Sequence, residues 1–201
     1  MLLDRTGAGP HASCREKPRR TVRWILRDGT AADHARCERL MGPLRDPRTY
    51  GRFLAAMEVL HAVVLRAAAR RLPDEAVSGL AADLDRIARD RADMASGAPE
   101  PRQVPHLHLS SEAAAMGALY VTEGARLGAT VLRRQAVVAL GTSPSWGGRF
   151  LAGGGGGARW KDLLDALERA VVTERDVAQA VDGARAAFGV FAWAMHPAEG
   201  V

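Results

Sequence analysis

Two groups of residues in this 201-residue chain have types and spacings suited to chemistry. His34 and Glu38 stand four residues apart, so an imidazole and a carboxylate share one helix face. Gly117, Gly124 and Gly128, at offsets of seven and four, share another, with Val121 between them. Neutral imidazole is the commonest protein ligand for a metal. Each glycine in a helix interior costs roughly 1 kcal/mol relative to alanine. A helix that carries three of them needs bare backbone on one side, for a neighbouring helix or for a flat, bulky ligand. Taken alone, His34 beside the apolar stripe of Val22, Ile25 and Leu26 also reads as a satisfied core histidine, and the glycines as helix packing.

Other groups carry less. Glu58 and His61 form an i,i+3 pair that reads as structural, with His61 a reserve ligand. His106 and His108 make an H-x-H pair in a proline-rich connector with no third ligand nearby. The run Gly153 to Gly157 lacks the Lys-Ser/Thr of a phosphate loop. Cys14 and Cys37 form no CxxC, which fits a reducing compartment. A net charge of +5, with Arg5, Arg15, Lys17, Arg19 and Arg20 against Asp4 and Glu16 near the amino terminus, suits an acidic protein or an anionic small molecule. Nucleic-acid recognition is argued against by the absence of any recognition motif. No apolar leader or membrane-length run is present, so the expected location is the cytoplasm, with no membrane contact.

The elements that must position these groups read as helices. Hydrophobic residues make up 47% and aromatic residues 5% of the chain, and Ala, Arg and Leu dominate without alternating β-type runs. The expected fold is all-α in a single domain over 20–196, preceded by a flexible basic tail, 1–19. A first helix runs from Thr21 to Met41 and stops at Gly42-Pro43. Pro47 opens a second, and a third follows Pro73 with Val77, Leu80, Leu84, Ile87 and Met94 inward and its arginines and aspartates outward. The glycine helix is capped by Ser110 or Ser111 and ends at Gly141. A loop with Trp146, Phe150 and Leu151 as anchors leads to a short helix, and Thr173 caps the last one, which Pro197 stops.

A planar, anionic, metal-bearing macrocycle accounts for both groups at once, ligated by the histidine on one face and crowded by bare backbone on the other. Here the sequence resembles the heme oxygenases. Leu26-Arg27-Asp28-Gly29-Thr30-x-x-x-His34-x-x-x-Glu38 is similar to their proximal helix. Gly117-x-Leu119-Tyr120-Val121-x-Glu123-Gly124-x-x-Leu127-Gly128 is similar to the distal helix of the bacterial branch that includes enzymes serving bacteriophytochromes. The loop around Phe150 and Trp160 and the pair Ala184 and Phe188 extend the likeness over about Arg20 to Met195.

The resemblance implies a multi-helical bundle holding heme between the first helix and a glycine-kinked distal helix. His34 is then the iron ligand, Glu38 its support, and Gly124 and Gly128 the catalytic distal contacts. Arg27 is the basic propionate partner, Arg133 and Arg134 further partners for that edge, and Tyr120 a heme-edge contact. The implied reaction opens heme to biliverdin, carbon monoxide and ferrous iron with O₂ and electrons from an acidic donor such as ferredoxin and its reductase. A bacteriophytochrome is an implied biliverdin acceptor. One position departs from the pattern: Ala125 stands where bacterial relatives carry serine and mammalian ones aspartate, with Arg126 a nearby polar substitute. That departure motivates an alternative, a heme- or tetrapyrrole-binding protein of the same fold that does not degrade its ligand. A second alternative is a helical protein-interaction module.

Overall fold

The computed structural model of the chain describes residues 21–94, 104–153 and 156–196. Among these residues there are eight helices and no strands: α1(Val22–Gly29), α2(Ala31–Met41), α3(Pro47–Ala68), α4(Asp74–Met94), α5(Glu112–Leu140), α6(Arg149–Ala152), α7(Gly156–Ala170) and α8(Glu174–Met195). The expected basic tail, 1–19, with His11 and Cys14, lies outside the described residues, as does Pro197.

Local chemistry sets most of the boundaries. Pro47 opens α3 behind an Asp46–Thr49 capping box, and Thr173 and Asp176 form the same device at α8. Ser111 accepts the Ala114 amide at the start of α5, and Gly141, at φ 67°, closes that helix with the left-handed turn glycine permits. Helix α5 runs unbroken through all three of its interior glycines.

Helix α3 is central, burying Tyr50, Leu54, Leu60 and Val64 against α4, α5 and α8. The closest helix contact joins α5 to α8. A Cβ at Gly117 would lie 1.9 Å from the Ala180 carbonyl oxygen, and one at Gly183 would lie 1.9 Å from that of Ala114. These reciprocal pairs fix an antiparallel crossing that only glycine allows at either position.

Three expectations need correction. The first helix is two helices, broken at Thr30 (φ −117°, ψ 8°). There the Thr30 hydroxyl bonds back to the Leu26 carbonyl at 2.8 Å, and the Gly29 carbonyl is taken by Arg185 of α8 at 3.0 and 3.1 Å, so the ladder is interrupted. In α4, Asp83 and Asp90 are fully buried rather than outward. Asp90 accepts the Arg149 and Phe150 amides at 2.9 and 2.8 Å and so caps α6, while Asp93 accepts the Gly147 amide at 2.8 Å and Tyr50 donates to the Gly147 carbonyl at 2.6 Å. Those bonds anchor the loop together with buried Phe150 and Leu151, whereas Trp146 is 45% exposed and holds the loop through its backbone, paired with Ser143 at 2.8 and 3.1 Å.

Candidate functional site

His34 sits in the middle of α2, where its ring stands clear of the core, 60% exposed. It is therefore not the satisfied core histidine that the apolar stripe allowed. Phe188 of α8 meets the imidazole edge-on at 5.9 Å. Nδ1 faces the Glu38 carboxylate at 3.6 Å, so Nε2 is the ring nitrogen turned away from that carboxylate. One turn on, Cys37 is buried under Phe188, donates to its carbonyl at 3.6 Å, and has its thiol pushed up to about 11, chiefly by burial.

The α1–α2 side of the molecule is linked to α5 at two ends, by charge at one and by a hydrogen bond from the connector after α2 at the other. At one, the Arg23 and Arg27 charges act on the hydroxyl of Tyr120, opposing the burial that raises its pKa; Arg27 stacks on Trp24 at 5.0 Å and Arg23 lies 5.6 Å from the same ring. At the other, the Leu44 amide donates to Gln135 Oε1 at 3.4 Å. His34 falls between these ends on its side, and Gly124 and Gly128 fall between them on the other. Between them α2 packs chiefly on α8 rather than on α5.

The glycine face changes character along its length. At Gly117 it is filled by α8. At Gly124 an added Cβ would meet only the Trp160 ring, at 3.8 Å, and at Gly128 it would meet nothing within 4 Å. The flanking side chains there are apolar and exposed, Leu127 at 43% and Val131 at 61%. Val131 is rotated only about 60° from Gly128 around the helix axis. An apolar, side-chain-poor helix surface left open to solvent is suited to a flat hydrophobic ligand. Leu127 and Val131, with Phe188 beside the imidazole, are contacts that the sequence does not mark as such, although Leu127 falls within the distal motif and Phe188 within the likeness at the last helix.

The other expected residues divide. Tyr120 is half-buried, its ring 5.2 Å from Trp160, and joins the Arg27 end. Arg133 and Arg134 are both exposed; Arg133 is rotated about 140° from Gly128 and points off the glycine face, whereas Arg134, seven residues after Leu127, flanks that face on the same side as Leu127 two turns further on. Arg126 is rotated about 160° and is buried on the far side of α5. It pairs there with Asp83 and donates to the Gly153 carbonyl at 2.5 Å, so the expected polar substitute for Ala125 is committed elsewhere. His61 is fully buried, its Nδ1 2.8 Å from the Met57 carbonyl and its Nε2 3.9 Å from Asp83, while Glu58 pairs with Arg91; the expected Glu58–His61 pair does not form. Burial lowers the His61 pKa to about 4, so it is neutral at pH 7. His106 and His108 are exposed, and among the described residues no group of three or more His, Cys, Asp or Glu side chains could hold a metal. An iron held here needs the rest of its ligand field from a macrocycle.

A family model described as heme oxygenase matches residues 77–196. Tyr120, Gly124 and Gly128 fall inside that match; Arg27, His34 and Glu38 precede it. Among solved structures, the chain is similar to the NO- and CO-bound heme oxygenase from Neisseria meningitidis, with a TM-score of 0.72 and 24% identity over 90% of this chain and 95% of that one. At that identity the likeness speaks to the fold. No curated protein matches the sequence.

Proposed function

The chain belongs to the heme oxygenase family, and from that premise we propose that it opens heme to biliverdin, carbon monoxide and ferrous iron, with the ring seated between His34 and the Gly124–Gly128 face of α5. The observation that supports the placement is the pairing of an exposed imidazole with an open, apolar, glycine-bearing helix face, between the Arg27–Tyr120 end and the Leu44–Gln135 hydrogen bond. Bound heme supplies the iron that takes up O₂ and the ring carbon that is oxidised.

The protein's part is to hold and orient. Nε2 of His34 ligates, and the Glu38 carboxylate beyond Nδ1 favours the tautomer with the proton on that nitrogen and makes the ligand more basic. Gly124 and Gly128 would let the α5 main chain lie against a bound ring, and a methyl at 128 would occupy that space. Leu127, Val131 and Phe188 exclude water from the ring. Arg27 and Arg23, whose charges act on Tyr120, would supply positive charge to the carboxylate edge of a bound ring. With Ala125 apolar and Arg126 turned away, no charged side chain of those two positions reaches the distal face.

The resemblance further suggests an acidic donor such as ferredoxin with its reductase, docking on the cationic α1 surface around Trp24, and a bacteriophytochrome as acceptor of the product. The proposed location is the cytoplasm; among the described residues no helix is long and apolar enough to cross a membrane. The family match favours this reading over a helical interaction module. Ala125 is the one observation that favours the binding-only alternative. Turnover of stoichiometric heme with ascorbate, and with ferredoxin and its reductase, decides between them: release of carbon monoxide and extraction of biliverdin supports the enzyme, whereas a persistent heme complex with neither product supports the binding protein.

A further inference from the structure

A second cavity lies outside the heme site, between the amino-terminal half of α4, the first three turns of α5 and one face of α7, with a volume of about 590 Å³. Its size is that of a small-molecule site. Its floor is built around a glycine. A Cβ at Gly79 would fall 1.8 Å from the Arg159 guanidinium, so Gly79 leaves the space in which Arg159 lies across α4 to reach Glu123 of α5. Glu123 is only 8% exposed. Arg159 holds one of its oxygens, and the other has no hydrogen-bond partner, with Arg126 Nε 3.9 Å away. The floor is thus internally paired, yet still short of a donor.

The walls are apolar, formed chiefly by Met116, Leu119 and Leu163, and the rim is not. Exposed Glu75, Glu112 and Asp162 face a single exposed guanidinium, that of Arg169. This acidic mouth belongs to a chain whose net charge is +5, so the local potential runs against the whole. We propose that this cleft is a binding site for a small amphipathic organic cation, an apolar body that packs on Met116, Leu119 and Leu163 with a protonated amine held at the acidic rim. The complementarity is of two kinds: the walls reward burial of an apolar body, and the carboxylates reject an anion of the same shape. Residue 123 lines this cleft and residue 124 the proposed heme slot, so one turn of α5 borders both.

The test uses heme-free protein, because amines ligate heme iron. Binding of 1-naphthylmethylamine is measured by calorimetry beside 1-naphthalenemethanol and 1-naphthoate, which share its body as a neutral molecule and an anion, and beside spermidine, a cation without an apolar body. The ¹³C-methyl resonance of Met116, assigned with Met116→Leu, reports where the probe sits. The proposal expects the amine to bind at least tenfold tighter than each of the other three and to shift the Met116 methyl. It further expects the triple surface variant Glu75→Gln, Glu112→Gln, Asp162→Asn to lose most of that preference while leaving heme binding unchanged. Equal binding of amine and naphthoate, equal binding of spermidine, an unmoved Met116 methyl, or a preference retained by the triple variant would each overturn it. Failure here leaves the heme site untouched, since none of these residues lies in it.

Discussion

Gly128→Ala and Gly117→Ala place the same methyl on the same face of the same helix, and the structure requires opposite outcomes. At Gly128 an added Cβ has nothing within 4 Å. Only intrinsic propensity acts there, so the heme-free protein gains about 1 kcal/mol. For a chain of this size that raises the melting temperature by about 2–4 °C. At Gly117 the Cβ would sit 1.9 Å from a backbone oxygen that no rotamer change can move. Separating α5 from α8 costs about 1–3 kcal/mol or more, after which little of the propensity gain survives. Ligand binding separates the two as well. The Gly128 methyl enters the proposed slot, and a penalty of the same 1–3 kcal/mol weakens heme binding about 5- to 150-fold. Thermal and urea melts of the heme-free proteins, with heme titration followed by absorbance, give all four numbers. A Gly128→Ala protein that is more stable, binds heme as tightly as the parent and yields the same product would refute the placement of the ligand against α5. A Gly117→Ala protein as stable as the parent would refute the crossing.

Other consequences can be checked separately. His61 titrates near 4 when folded against an ordinary 6.5, so the unfolded chain binds more protons between these values. Stability from its neutral form is therefore full above about pH 6.5 and lost as the pH falls toward 4, by about 2 kcal/mol between pH 7 and pH 5; urea melts of His61→Leu should show a flatter acid limb, and an unchanged slope would count against its burial as a neutral group. Asp90→Ala strips two amides and an arginine of their acceptor, and should destabilise by about 3 kcal/mol and loosen the 145–150 loop, read by amide exchange at Arg149 and Phe150; native protection there would contradict the capping role. Arg126→Leu should lower stability by about 1–3 kcal/mol, because buried Asp83 loses one of its two arginine partners and keeps Arg86, while Arg126→Leu with Asp83→Leu should recover most of the loss. If reduction proceeds by docking an acidic protein on α1, raising salt should slow ferredoxin-driven turnover and leave ascorbate-driven turnover nearly unchanged.

The helical class, the caps at Asp46, Ser111 and Thr173 and the stop at Gly141 were legible because each is written in residues within one turn of the feature. Helix packing, one of two readings open for all three glycines, applies at Gly117, although its partner, Ala180, could not be read. The break at Thr30 was not legible, because it depends on Arg185 arriving from α8 to take the Gly29 carbonyl. Asp83 and Asp90 were misplaced for the same kind of reason: helical periodicity assigns a charge to solvent, and only the fold brings Arg126 and two free α6 amides to receive it. At the candidate site the histidine and the glycines were visible as residue types. The open stretch around Leu127 and Val131 was not, since exposure of an apolar side chain has no local signature.

The central claim is that His34 ligates a heme lying on the open face of α5. The direct measurement is heme titration of the parent and of His34→Gly, each with and without added imidazole, followed by the Soret band. The account predicts near-stoichiometric binding by the parent, an altered spectrum in the variant, and recovery of the parent spectrum when imidazole fills the vacated position. A variant whose heme spectrum matches the parent's before any imidazole is added would contradict it.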